Sequence, residues 1–211
     1  MSDLRQSLLT AVRLVVVKVG TRVLTGGDGL LDLQRIESLG GQIHRLIGAG
    51  LQVVLVSSGA VGAGMGRLGL VKRPQELARL QAVAAVGQSC LIEAYDRVLR
   101  GHGRHAAQVL LVADDLKDRS RYLNIRNTLR SILAFEALPI VNENDTVSTE
   151  ELRTSFGDND RLAAQVATLE SPELIILLSD FDVLFDRHPG LPGAVKRDTI
   201  DSIDRHVEAL A

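Results

Sequence analysis

Aromatic side chains are scarce in this 211-residue chain, which has two Tyr, four Phe and no Trp. That excludes a base-stacking platform for single-stranded nucleic acid. It also leaves Val, Leu, Ile and Ala to build the core, which suits a sheet buried between helices. Cysteine occurs once, at Cys90, so an intrachain disulfide framework is excluded and a reducing, cytoplasmic setting fits. Set in the apolar run 80–92, Cys90 reads as a small buried hydrophobe. Neither sign of charge dominates: 24 basic and 26 acidic residues leave a net charge of −2, with no electrostatic footprint for nucleic acid. A long uninterrupted apolar run is missing as well. The longest uncharged stretch, residues 46–66, holds six glycines, Gln52 and Ser57-Ser58, and reads as helix end, strand and glycine loop rather than a membrane span. The first thirteen residues carry Asp3, Arg5 and Arg13 and lack the apolar centre of a secretory signal.

What is present is the mixture of a globule able to bury a sizeable core, 45% apolar and 24% charged, and the length predicts one domain over residues 1–211. Residues 14–19, LVVVKV, are β-branched and nearly continuous in apolar character, the pattern of a strand covered on both faces. Residues 32–48 place Leu33, Ile36, Leu39, Ile43, Leu46 and Ile47 at steps of three and four, which predicts an amphipathic helix with Asp32 as N-cap. A second strand is predicted at 53–56, followed by a flexible glycine-rich loop over 57–69 and a long helix over 74–99. Further strands are predicted at 107–112, 138–141 and 174–178, with helices around 121–135 and 161–169. Strands alternating with helices predict an α/β fold, a three-layer sandwich around a mainly parallel sheet.

Ligands of open parallel sheets sit beyond the carboxyl ends of the strands, so the polar residues there are the candidates. Lys18 ends the most apolar strand in a chain with only four lysines, and Gly20-Thr21 follow it. It is either a lysine laid along the sheet rim or a point charge aimed at a phosphate. The order Lys-Val-Gly-Thr is not that of a P-loop. Ser57-Ser58-Gly59-Ala60 offers hydroxyls and backbone N–H groups at a helix start, suited to an anion. Gly64-Met65-Gly66-Arg67-Leu68-Gly69 spells G-x-G-x-x-G, but it starts eight residues past Val56 and leads into a helix, so a dinucleotide fingerprint is disfavoured. Asn142-Glu143-Asn144-Asp145 follows the fourth strand. Gly157-Asp158-Asn159-Asp160 precedes a helix and is read as supplying its cap. Together these side chains offer acceptors for an ammonium and donors for a carboxylate, which suits an amino-acid substrate.

The segments VVVKVGTRVLTGG, VLVSSGAVGAG, AVAAVGQS, NIRNTLR, PIVNENDTVST, FGDNDRLAA and LLSDFDVLF, in this order over residues 14–185, resemble the glutamate 5-kinase branch of the amino acid kinase family. The NEND and GDND segments are its most specific part. The resemblance implies transfer of the ATP γ-phosphoryl group, with Mg²⁺, to the side-chain carboxylate of L-glutamate, the first step of proline biosynthesis. It implies Lys18 and Asp160 as catalytic, Ser58, Asp145 and Asn159 as glutamate-binding, and Lys18, Ser179 and Asp180 as nucleotide-binding. No resident metal site is implied. A cytoplasmic homo-oligomer, dimer or tetramer, would go with it, without nucleic-acid or membrane partners.

Some positions depart from that pattern. Val183 stands where a glycine is usual, Phe185 where a tyrosine is usual and Ser179 where a threonine is common. The chain stops at Ala211, before the family's GTGGM-x-T-K loop with its second lysine, and without the C-terminal domain. The expectation is therefore a C-terminally incomplete kinase domain, a poor kinase when taken alone. The alternative is a catalytically weak glutamate-binding or regulatory fragment.

Overall fold

Alternation along β1 (Leu14–Val19) divides the molecule into layers. A computed structural model describes residues 9–147, 158–179, 184–186, 193–197, 199–200 and 202–208. Successive strand residues point to opposite faces. Val15, Val17 and Val19 therefore join one apolar cluster and Val16 the other. The neighbour β2 (Gln52–Ser57) repeats this, with Val53 and Leu55 on the first face and Val54 and Val56 on the second. The remaining strands are β3 (Ala106–Leu111), β4 (Leu138–Glu143) and β5 (Leu174–Leu178), and all five run parallel in the order β3-β4-β2-β1-β5.

Helices α1 (Leu33–Gly48) and α3 (Leu77–Arg100) cover the first face through Ile36, Leu39, Ile43, Leu91, Tyr95 and Leu99. Helices α4 (Arg119–Ala134) and α5 (Asp158–Glu170) cover the second through Leu129, Leu162, Ala163, Val166 and Leu169. The α/β three-layer sandwich expected from the sequence is the observed fold. Asp32 caps α1 as expected, its carboxylate accepting from the N–H groups of Gln34 and Arg35.

Three expectations need correction. Residues 57–69 are not a flexible loop, because Ala60–Leu68 form a helix, α2. Glycine costs helix stability, but here it allows two backbones to meet. A Cβ on Gly64 would lie 1.9 Å from the Val83 carbonyl oxygen, and one on Gly87 would lie 1.7 Å from that of Ala60. The G-x-G-x-x-G letters are thus spent on packing α2 against α3 and on ending α2, where Gly69 takes a left-handed conformation (φ 65°). The sequence also placed Asp158, Asn159 and Asp160 in the cap of α5, whereas they form its first turn; Gly157 lies outside the described residues. Cys90 is partly exposed on α3, because its stretch of helix turns one side to solvent. β5 is a strand as expected, and its exposed residues Ile175 and Leu177 lie on the face of Val16 and Lys18.

Residues up to Leu178 form one compact unit and those from Ser179 a second. In the second, β6 (Leu184–Phe185) pairs antiparallel with β7 (Lys196–Arg197). The Asp186 carboxylate there accepts from the Val195 N–H at 2.8 Å, and Arg205–Glu208 form a helical turn. No helix among the described residues is long and apolar enough to cross a membrane.

Candidate active site

Because the strands are parallel, the ends of β1, β2 and β4 lie along one edge of the sheet, and the pleat decides which layer each polar side chain meets. Lys18 shares the face of Val16 and lies between Val56 of β2 and Leu177 of β5. That face is covered by α5, and the Lys18 Nζ meets Asp160 Oδ1 in the first turn of that helix at 2.6 Å. The lysine side chain is only 9% exposed while the aspartate is 52% exposed. The pair therefore has a dry stem and a wet rim. Asp160 takes one N–H donor of the ammonium, and a lysine has three. A Cβ at Gly20 would lie 3.4 Å from Nζ, so the absence of a side chain there keeps that approach to the ammonium open.

Ser57 and Ser58 part company at the end of β2. The Ser57 hydroxyl turns to the first face and meets the Tyr95 hydroxyl of α3 at 3.1 Å in the core. Burial pushes the Tyr95 phenol above its ordinary range, an effect the Ser57 hydrogen bond only partly offsets, so Tyr95 stays neutral. Of the two hydroxyls expected at an anion site, the fold spends Ser57 on the core. Ser58 turns to the edge, where its hydroxyl oxygen accepts from the Asn159 amide of α5 and is left with its own O–H to donate. The Ser58 backbone N–H is taken by the Val19 carbonyl at 3.0 Å. The backbone donors left for an anion are those of the first turn of α2, whose N-cap Gly59 (φ 105°) brings no side chain to them.

Asn159 also donates to Asn142 Oδ1 at 3.2 Å, and Asn142, 3% exposed on β4, donates to Gln88 Oε1 of α3 at 2.7 Å. A line of polar side chains thus runs from Ser58 through Asn159 and Asn142 to Gln88 along the sheet edge. Asp145 stands two residues beyond β4, in the turn whose Thr146 hydroxyl donates to the Asn144 side chain at 2.6 Å. Of the residues singled out from the sequence, the structure joins Lys18 to Asp160 and Ser58 to Asn159. Ser179 opens the second unit directly after β5; Asp180 and Val183 lie outside the described residues. The sequence reading missed Gln88 and Tyr95, and it named Asn142 only as part of a cluster. The signal for Gln88 was a lone amide in the apolar repeat AVAAVGQS, next to a glycine.

A family model described as "Amino acid kinase family" matches residues 13–209, nearly the whole chain. The chain belongs to the amino acid kinase family. Among curated relatives, a glutamate 5-kinase of Rhodopirellula baltica is 50% identical over 207 residues, 98% of this chain and 53% of the relative. One of Nitrosococcus oceani is 53% identical over 184 residues, 87% of this chain and 48% of the relative. A third, of Clostridium acetobutylicum, is 42% identical over 208 residues, 98% of this chain and 77% of the relative. The chain spans about half the length of the first two. Within an amino acid kinase, the edge built from Lys18, Ser58, Asn142, Asn159 and Asp160 is the candidate active site.

Proposed function

We propose that this chain carries the glutamate-binding and phosphoryl-transfer edge of an ATP-dependent glutamate 5-kinase, forming glutamyl 5-phosphate for proline biosynthesis. The observation that carries the reading is the Lys18–Asp160 pair at 2.6 Å on the same sheet edge as the Ser58–Asn159–Asn142 line. The relatives' name, glutamate 5-kinase, supports the choice of substrate within the family.

The chemistry asks little of a base. A side-chain carboxylate with an ordinary pKa of about 4.3 is already ionised at neutral pH. Its oxygen attacks the γ-phosphorus, the bond to the bridging oxygen breaks, and ADP leaves. The difficulty is bringing an anion onto a polyanion and holding the two in line through a loose transition state, which is work for fixed cations and donors. Lys18 supplies the cation. Asp160 holds its ammonium in place. The Ser58 hydroxyl donates to a substrate carboxylate. Asn159 directs its amide protons to Ser58 and Asn142, so its carbonyl oxygen is the atom it offers to a substrate donor. Asp145 faces the substrate ammonium, and the family resemblance assigns nucleotide binding to Ser179 and Asp180.

Mg²⁺ would neutralise phosphate charge. Among the described residues no three His, Cys, Asp or Glu side chains gather to hold a metal. Mg²⁺ is commonly held by one or two carboxylates plus substrate oxygens, so on this reading it would arrive on the phosphates of ATP. The reading also carries a cytoplasmic homo-oligomer, dimer or tetramer.

Trapping the acyl phosphate with hydroxylamine in the intact protein tests the reaction. Hydroxamate should form with L-glutamate, ATP and Mg²⁺; formation with N-acetylglutamate or aspartate but not glutamate would overturn the substrate. Asp145→Ala should raise the glutamate KM by about tenfold or more with a smaller change in kcat, because a carboxylate facing the ammonium supports ground state and transition state alike. An unchanged glutamate KM would return Asp145 to a turn residue.

A further inference from the structure

Gln88 is polar, 7% exposed, and sits on the face of α3 that packs against the sheet. Its Oε1 accepts from Asn142, but its Nε2 is buried with no hydrogen-bond partner among the described residues. A buried donor left unmade is costly, so nothing about Nε2 itself favours an amide here. Packing alone therefore does not account for an amide at this position. What the glutamine supplies is one acceptor oxygen, aimed at the Asn142 amide.

That oxygen closes the line of polar groups. An asparagine amide can be turned over, exchanging its oxygen and nitrogen, unless its partners forbid it. Asn142 presents Nδ2 to Gln88 and therefore Oδ1 to Asn159. Asn159, accepted on one side by Asn142 Oδ1, presents its other amide proton to Ser58. Without an acceptor at residue 88, Asn142 could turn its nitrogen toward Asn159, and the two amides would then meet donor to donor until Asn159 also turned. Ser58 and Asn159 would change what they offer a ligand. The close approach of Gly87 to Ala60 sets α3 at this depth, which brings the next residue, Gln88, to the end of β4.

We infer that Gln88 is a positioning residue that acts through Asn142, holding Asn159 and Ser58 in the orientation that binds the glutamate substrate. The inference rests on the proposed glutamate kinase reading for its substrate, though not for its geometry.

The test uses Gln88→Met and Gln88→Leu in the intact protein, two apolar replacements of different shape. Both remove the orphaned Nε2 and leave Asn142 Nδ2 without its acceptor, so one unmade donor replaces another and the melting temperature should move by only a few degrees. The glutamate KM should rise about tenfold, the scale of one hydrogen bond. kcat and the ATP KM should stay within about twofold. In an Asn142→Ala background, Gln88→Met should change the glutamate KM by less than about twofold, because the path through Asn142 is already cut. In ligand-free protein, the side-chain amide resonances of Asn142 and Asn159 should lose their protection from solvent exchange in Gln88→Met.

An unchanged glutamate KM in both variants would overturn the inference, as would equal losses for glutamate and ATP or additive effects with Asn142→Ala. A wild-type protein that forms no glutamyl phosphate would instead sink the proposed function. In that case the amide resonances still decide the positioning role, and unaltered protection in Gln88→Met would refute it.

Discussion

Lys18→Ala should lower kcat by about 10²–10³-fold, the scale for removing one preorganised group that stabilises the transition state. That corresponds to about 3–4 kcal/mol of barrier. The structure explains why the loss should fall on rate rather than on folding. β1 is held by parallel ladders to β2 and β5, and Lys18 contributes to both through its backbone. Its partner Asp160 is 52% exposed, so water can solvate the carboxylate once the ammonium is gone. This is unlike the loss of one member of a fully buried pair, which leaves a stranded charge. Lys18→Met, which keeps the apolar stem among the valines, separates charge from packing. Both variants should unfold cooperatively, and both should be slow. The measurement is kcat with saturating glutamate and ATP beside a denaturant midpoint. Full activity in folded Lys18→Met would make Lys18 a rim lysine with no part in transfer.

Gly87→Ala should damage the fold itself. The added Cβ would stand 1.7 Å from the Ala60 carbonyl oxygen and 2.3 Å from the Gly64 backbone nitrogen. Neither atom belongs to a side chain that could swing away. Helix α2 or α3 must shift, and overpacking of this kind costs about 3 kcal/mol or more, a large part of the roughly 5–15 kcal/mol that holds a domain together. Gly64→Ala should do the same against the Val83 carbonyl oxygen at 1.9 Å. Gly48→Ala is the control: nothing lies within 4 Å of its Cβ, and alanine favours a helix by about 1 kcal/mol. Urea midpoints should fall sharply for the first two and stay level or rise for the third. An unchanged midpoint for Gly87→Ala would show that the α2–α3 approach is not a determinant of the fold. The damage should also reach binding, because Ala60 opens α2 just past Ser58 and Gln88 adjoins Gly87.

Much of this architecture was legible in local pattern. The continuous apolar run of β1, the helical spacing of 32–48 with Asp32 before it, and polar clusters just past apolar strands are short-range regularities. Each follows from the geometry of one strand or one helix, and together they suffice for a parallel sheet between helices with a candidate site at the carboxyl edge. The four letters of GDND likewise marked Asn159 and Asp160 before any contact was known.

The partners of those residues were decided only by the tertiary structure. Asn159 reaches Ser58 across 101 positions, and Asn142 reaches Gln88 across 54. No periodicity carries such a pairing. It depends on strand order, on which face the pleat gives each residue, and on how deeply α3 sits against α2. The same dependence turned Ser57 into the core while Ser58 stayed at the edge. It also made a helix of the glycine-rich segment that the sequence alone presented as loop. Glycine's low helix propensity is a local property, and the contact that overrides it lies between Gly64 and Val83 and between Gly87 and Ala60, residues brought together by packing of the folded chain.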